Sequence, residues 1–193
     1  MIDYIKGIIT SINPATVSIE TAGIGYSVNI SLNTFSKING KDECKILIHE
    51  VIREDAHLLF GFADEAERSI FRLLISVSGI GANTARMMLS SLGPGEVETA
   101  VIESDVNMLK GVKGVGLKTA QRIIVDLKDK VGKHPVSGEI FAFENNTTRE
   151  EALSALVMLG FARSAVLKVL DKIIMEEKDL TVEDLIKRAL KNL

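Results

Sequence analysis

Short runs in which apolar and polar residues alternate fill the first third of the chain. Ile5 and Ile8, Val17 and Ile19, Val28 and Ile30, and Ile46 and Ile48 carry the alternation, which marks half-buried strands. Asn13-Pro14, Gly23, Gly25 and Asn39-Gly40 punctuate it, each a turn signal. About five short strands in about 60 residues predict a small closed barrel over residues 1–62, because closure removes exposed edges. Arg53-Glu54-Asp55-Ala56 breaks the pattern between two apolar runs and reads as a hairpin tip.

The period then changes to that of a helix. Asp64 with Glu67 is a capping-box-like start, and Ile70, Leu73, Leu74 and Val77 share one face. Pro94 follows Gly93, as at a helix start. Ala120, Ile123, Ile124 and Leu127 predict a helix from Leu117 to Val131. Residues 63–132 thus read as entirely helical. Residues 133–147 are rich in turn formers and read as a flexible linker, longer than most loops inside a domain, with Phe141 and Phe143 as docking candidates. Residues 148–193 start afresh. Thr148 with Glu151 and Thr181 with Asp184 mark two helix starts, and Gly160 marks an end. Three helices would share a core of Leu153, Leu156, Val157, Phe161, Val166, Leu170, Ile173, Leu185 and Leu190. The fold class is α+β, multidomain.

A repeat stands out inside the helical segment. Gly79-Ile80-Gly81 and Gly114-Val115-Gly116 lie 35 residues apart, followed at one offset by Thr84-Ala85 and Thr119-Ala120. Glycine permits φ > 0 and close approach to the backbone, and the next helix begins there with free N–H groups and a positive dipole end. Helix, tight turn, helix, used twice, suits the grip of a phosphate backbone. Lys118 and Arg122 add cations in the second copy. The plain alternative is a tight helix connection without a ligand, which one copy alone would favour. A dinucleotide fold requires a strand before its glycines, and here the preceding segments read as helices.

Charge tempers this picture. The net charge is −3, whereas nucleic-acid binders are usually basic. Residues 1–62 carry 5 basic and 7 acidic side chains, residues 63–132 carry 9 of each, the linker 1 and 2, and the tail 8 of each. Any grip must therefore come from local amides and a few placed cations. Cys44 is the single cysteine, and His49, His57 and His134 are scattered, so neither a disulfide framework nor a metal site is expected. No cofactor is implied. No apolar run reaches the roughly 18 residues of a membrane span, and the first residues lack a signal-peptide layout, so the expected location is cytoplasmic.

SGIGANTA and KGVKGVGLKTAQRIIVDLKDK look like paired helix-hairpin-helix motifs of a DNA-binding family. With the stretch REDAHLLFGF and the order barrel, hairpins, linker and helical tail, the whole chain resembles the RuvA family of Holliday junction branch-migration subunits. The resemblance implies an OB-like barrel, a tandem helix-hairpin-helix domain and a ubiquitin-associated-type three-helix bundle. It also implies a non-catalytic homotetramer, one or two per four-way junction, acting with the hexameric ATPase RuvB and the resolvase RuvC. The chain has no GxxxxGK[ST] pattern, so ATP hydrolysis would belong to the partner.

Carried over residue by residue, Gly79, Ile80, Gly81, Asn83, Gly114, Val115, Gly116, Lys118, Thr119 and Arg122 would face the DNA backbone. Glu54 and Asp55 would form the acidic pin at the crossover. By spacing alone that pair is a solvated turn, and only the resemblance reverses the reading. Met158, Leu159, Gly160 and Phe161 would dock the motor, with Met158 undecided between core and partner surface. Two departures weaken the cationic grip: Ala82-Asn83-Thr84 and Leu117 stand where the family is often basic. Arg86 is the candidate to compensate.

Two other classes compete. A helix-hairpin-helix glycosylase or nuclease would need a catalytic Asp beyond the hairpin. Asp126 follows Gly116 by ten residues, but within the same predicted helix, and no clustered carboxylates suggest a two-metal site. A protein–protein adaptor would use the hairpins to pack against another protein.

Overall fold

The computed structural model describes residues 1–131, 147–177 and 180–193. The chain divides into two compact units, Met1–Gly138 and Glu139–Leu193. The expected linker lies outside the described residues, apart from Thr147, which already belongs to a helix.

In the first unit, β1 (Tyr4–Asn13), β2 (Thr16–Thr21), β3 (Ile24–Ile30), β4 (Glu43–Ile52) and β5 (His57–Phe62) close into a barrel in the order β1-β2-β3-β5-β4. Neighbours are antiparallel except β3 and β5, which run parallel. Asn13 shapes the first turn, its Oδ1 accepting from the N–H groups of Ala15 and Thr16, both at 2.9 Å. Ile5, Val17, Ile19, Val28, Ile30, Ile46 and Ile48 fill the interior. Ile8 sits on β1 but points outward, beside an irregularity in register between Ile9 and Ser11.

The all-β reading of residues 1–62 needs one correction. Helix α1 (Leu32–Ile38) interrupts it, capped by Ser31, whose hydroxyl accepts from the Thr34 N–H at 3.0 Å. Leu32, Phe35 and Ile38 follow a helical spacing, and Ile38 is buried against the barrel core.

The helices α2 (Glu65–Ile75), α3 (Ala82–Ser91), α4 (Pro94–Ile102), α5 (Val106–Lys110) and α6 (Leu117–Leu127) share a second core. Strand β5 belongs to both cores. Leu59 joins the barrel interior, while Phe60 and Phe62 pack against Phe71 of α2, with ring centroids 5.3 and 4.8 Å apart. A strand covered on both faces loses its alternation, which is why LLFGF reads as a continuous apolar run. Helix α6 ends four residues earlier than expected. A hydrogen-bonded turn, in which the N–H groups of Lys130 and Val131 both donate to the Leu127 carbonyl, then tucks Val131 into the core.

The start of α2 fastens the helices to the barrel. Asp64 caps it as expected, accepting from the Glu67 N–H at 3.0 Å. Glu67 does not complete the box. Its carboxylate is fully buried and accepts from the hydroxyls of Ser31 and Thr34, the latter at 2.7 Å. The Thr34 hydroxyl in turn accepts from the Ala63 N–H at 3.0 Å. Burial pushes the Glu67 carboxyl above its ordinary pKa, opposed by the two hydroxyls. Beside it, Arg68 donates to the Asp3 carboxylate at 2.7 Å and to the Asp3 carbonyl at 3.0 Å, and holds Glu65. Lys37 bonds Asp64 at 2.6 Å. Burial disfavours the Asp64 charge, but Lys37 and the backbone N–H groups outweigh it and hold its carboxyl low.

The second unit packs α7 (Thr147–Met158), α8 (Arg163–Glu176) and α9 (Val182–Asn192) around Leu153, Leu156, Val166, Leu170, Ile173 and Leu185. Two expected core residues fall outside: Val157 and Leu190 are exposed, and Ala152 and Ala189 are buried in the core instead. Thr148 lies inside α7, so it is not the cap. Thr181 does cap α9, although the Asp184 carboxylate accepts from the Thr181 hydroxyl, where a capping box would use the cap's N–H. Gly160, at φ +99°, ends α7 with Gly160 N–H bonded to Val157 O and Phe161 N–H to Leu156 O, a Schellman arrangement.

Removing the Glu67 carboxylate strands two buried hydroxyl donors, so Glu67→Ala should cost about 3 kcal/mol of stability in thermal or urea unfolding. The raised carboxyl also makes stability fall as pH rises from the ordinary carboxylate range through its folded value. Glu67→Gln should abolish that decline.

Candidate nucleic-acid interface

The two glycine turns have the same backbone. Gly79 and Gly114 sit at φ +94° and +92°, a conformation open to glycine and costly for other residues. Gly81 and Gly116 then serve as N-caps of α3 and α6 at φ −88° and −83°. In each copy the middle residue turns inward: Ile80 and Val115 are buried, and their N–H groups donate to the carbonyls of Val77 and Val112 at 3.1 and 3.0 Å. This corrects the sequence expectation for these two residues, since neither side chain nor amide faces outward. They anchor the turns.

The outward groups are those at the helix starts. The first bonds within α3 and α6 run from Ala85 to Gly81 and from Ala120 to Gly116. The N–H groups of Ala82, Asn83 and Thr84, and of Leu117, Lys118 and Thr119, lie ahead of them, and no side chain caps either helix. Helices α1, α2, α5 and α9 are each capped by a Ser, Asp or Thr side chain. Absence of a cap alone decides little, because α8 lacks one too. Helix α4 also starts on a glycine, but there the Glu96 carboxylate accepts from the Gly93 N–H at 2.6 Å and would lie 3.4 Å from an added Cβ, so what singles out α3 and α6 is a glycine start that no side chain approaches. At Gly81 and Gly116 the backbone is ordinary, and a Cβ would meet nothing within 4 Å. Neither conformation nor the chain's own packing calls for glycine there, so the open space suits a group from outside that approaches the backbone.

The side chains of the two copies differ. At the common 35-residue offset, Lys110, Lys113, Lys118 and Arg122 of the second copy match Ile75, Ser78, Asn83 and Met87 of the first. All four cations are exposed, as are Asn83 and Leu117. Lys113 went unnoticed in the sequence, although its place immediately before Gly114 was a signal. Arg122 reaches across the repeat: its guanidinium donates to the Ser78 carbonyl in the first turn at 3.3 Å. Arg86, the candidate to make up for Asn83, is half-buried, and its guanidinium donates to the Ala15 carbonyl of the β1–β2 turn at 2.9 Å. It fastens α3 to the barrel, helped by Ser90, which accepts from the Leu32 N–H at 3.1 Å.

Glu54 and Asp55 lie at the exposed tip between β4 and β5, closed by a bond from Arg53 N–H to Ala56 O at 2.8 Å. The base of this hairpin is braced by Glu50, which accepts from the Ile2 N–H at 2.8 Å and pairs with His57 at 3.1 Å. The Ile2 bond is the main reason that the Glu50 carboxyl lies below its ordinary pKa. In the second unit, Met158 and Leu159 are 86% and 61% exposed at the Gly160 turn, while Phe161 packs on the bundle core. Met158 is therefore a surface residue. Asp126 lies within α6, as the sequence suggested. Among the described residues, no group of three or more His, Cys, Asp or Glu is placed to hold a metal, and no helix is long and apolar enough to cross a membrane.

A closed OB-like barrel, a tandem helix-hairpin-helix with paired outward amides, and a separate three-helix unit define the class. Residues 1–61 match the family described as RuvA N terminal domain, residues 71–129 the SAM-like helix-hairpin-helix tandem, and residues 147–193 the RuvA C-terminal domain. The chain is 53% identical to a protein of Bacteroides fragilis and 53% identical to one of Christiangramia forsetii. It is 48% identical to one of Flavobacterium psychrophilum. Each match covers 100% of both chains, and each relative is named Holliday junction branch migration complex subunit RuvA. The chain belongs to the RuvA family.

The two glycines of a turn should respond differently to substitution. Gly116→Ala should change stability by less than about 1 kcal/mol, since its φ suits alanine and the smaller unfolded-state entropy offsets the poorer N-cap. Gly114→Ala should cost about 1–2 kcal/mol for placing a Cβ at positive φ. Thermal unfolding of the two variants checks the contrast.

Proposed function

We propose that this protein binds four-way DNA junctions by structure and without regard to sequence. In this reading it holds them open and recruits the RuvB ATPase for branch migration in recombination and repair. The observation that carries this is the pair of matching turns, each with uncapped helix-start amides and a glycine whose missing Cβ nothing in the chain requires. Amides directed at phosphates position a protein on a duplex but read no bases, which suits movement along DNA. Gly79, Gly81, Asn83, Gly114, Gly116, Lys118, Thr119 and Arg122 form this grip, with Lys113 added. Ile80 and Val115 support it from within.

Glu54 and Asp55 act as the pin. Two exposed carboxylates on a braced tip repel phosphates and help keep strands apart at the crossover. Residues 1–62 carry the pin, 63–132 the grip, 133–147 the linker and 148–193 the motor contact. Met158 and Leu159 offer apolar surface to RuvB, with Gly160 and Phe161 setting the turn. The protein performs no chemistry itself, works in the cytoplasm as a homotetramer, one or two per junction, and shares the junction with the RuvC resolvase.

At moderate salt, the full-length protein should shift a synthetic four-way junction at concentrations that leave linear duplex of the same arms free. Gly116→Val should weaken that shift by about tenfold or more, the loss expected when several phosphate contacts are displaced, while costing only about 1 kcal/mol in unfolding as a poorer N-cap. Equal affinity for junction and duplex would overturn the reading.

Met158→Asp with Leu159→Asp should leave the junction shift intact and abolish RuvB-driven strand exchange. Undiminished branch migration would remove these residues from the motor contact.

A further inference from the structure

The second hairpin carries four cations that the first lacks at every equivalent position, although the two backbones match to within 2° in φ at the leading glycine. The first copy has Ile75, Ser78, Asn83 and Met87. Its helix does contain a cation, Arg86, but that guanidinium is committed to the barrel through Ala15. Two turns of one shape would therefore present a phosphate with unequal charge.

Arg122 alters that inequality. It stands on α6, in the second copy, yet its guanidinium lies 3.3 Å from the Ser78 carbonyl, the residue directly before Gly79 in the first turn. The bond is long and both residues are exposed, so it adds little to stability. It does place the charge beside the first turn. A guanidinium has five N–H donors in a planar fork, and this contact uses one nitrogen.

We propose that Arg122 is a shared cation: encoded in the second hairpin, it supplies the first turn with the positive charge that the first turn's own sequence lacks. Its carbonyl contact with Ser78 positions the fork, and the remaining donors meet the phosphate held by the first turn. The two turns then grip as one unit, because the charge of one depends on the placement of the other. This rests on the junction-binding reading above.

A double-mutant cycle tests it, using full-length protein, a synthetic four-way junction, and salt titration of the binding constant. Arg122→Gln should weaken binding roughly tenfold and reduce the salt slope by about one for each engaged protomer. Arg122→Lys should keep most of the slope. Asn83→Lys places a cation in the first turn at the position where the second has Lys118. In an otherwise unchanged protein it should gain little, because Arg122 already serves that turn. In the Arg122→Gln background it should restore most of the lost affinity, and in a Lys118→Gln background it should again gain little. Non-additivity confined to the Arg122 pair is the signature of a shared site. An equal gain from Asn83→Lys in all three backgrounds would overturn the proposal and leave Arg122 as a generic surface charge. So would an unchanged salt slope in Arg122→Gln. Failure of the unmodified protein to prefer the junction would instead overturn the underlying reading, so the two failures are distinct. Circular dichroism of each variant confirms the fold, which an exposed side chain leaves unaffected.

Discussion

The buried Glu67 carboxylate is the constraint on which the arrangement of the first unit depends. A charge without access to water costs several kcal/mol unless every lone pair is satisfied. Here the satisfying groups come from another element: Ser31 and Thr34 belong to the cap and first turn of α1, inside the barrel segment. Any docking that parts α2 from α1 strands the carboxylate. Arg68 repeats the logic on the other side of α2, reaching the Asp3 backbone and side chain. The net stabilisation from such groups is small, yet mispairing them is expensive. What they confer is direction. The hairpin turns that follow α2 and the β4–β5 tip that precedes it are thereby held in one frame, with Phe60, Phe62 and Phe71 packed at the joint.

Within that frame, a repeated backbone has been put to two uses. The helix after the first turn spends its arginine on the barrel, through Arg86 and Ala15, and adds the Leu32–Ser90 bond. The helix after the second turn has Gln121 at the matching place and keeps its cations exposed. Under the proposed reading, docking and gripping compete for the same kind of side chain, and the two copies divide the tasks unequally. The uncharged Asn83 thus belongs to the half of the repeat that faces the barrel.

The elements whose physics is local were legible in the sequence. Alternation marks β1 to β4, the continuous apolar run LLFGF marks β5, Pro94 after Gly93 marks the start of α4, and the paired Gly-x-Gly marks both turns. What was not legible depended on long-range partners. Helix α1 hid among strands because seven residues give too little periodicity to stand out. Glu67 looked like a local cap, and only the proximity of Ser31, 36 residues away, shows it otherwise. Ile80 and Val115 were grouped with the ligand-facing residues because a turn motif does not reveal which of its amides are already bonded. Val157 and Leu190 have core-like identities but lie on the outward faces of α7 and α9, where the smaller Ala152 and Ala189 are the buried residues. The Gly160 turn is legible as a helix end, whereas the exposure of Met158 depends on the packed bundle.

The near-balanced charge bears on how such a protein chooses its ligand. Non-specific affinity for duplex grows with the number of phosphates neutralised. Under the proposed reading, a subunit with net charge −3 holds any single duplex weakly, and its grip comes from repetition, since linked sites gain avidity only when geometry lets them engage together. Under the proposed reading, a four-fold assembly meets that condition on four arms that radiate from one point, and a lone duplex cannot satisfy it. In the same reading the acidic tip strengthens this discrimination by opposing phosphates wherever strands pass through the centre unparted. Weak, sequence-blind contacts then become useful, because an assembly that is to follow a moving crossover must release each phosphate as readily as it binds the next.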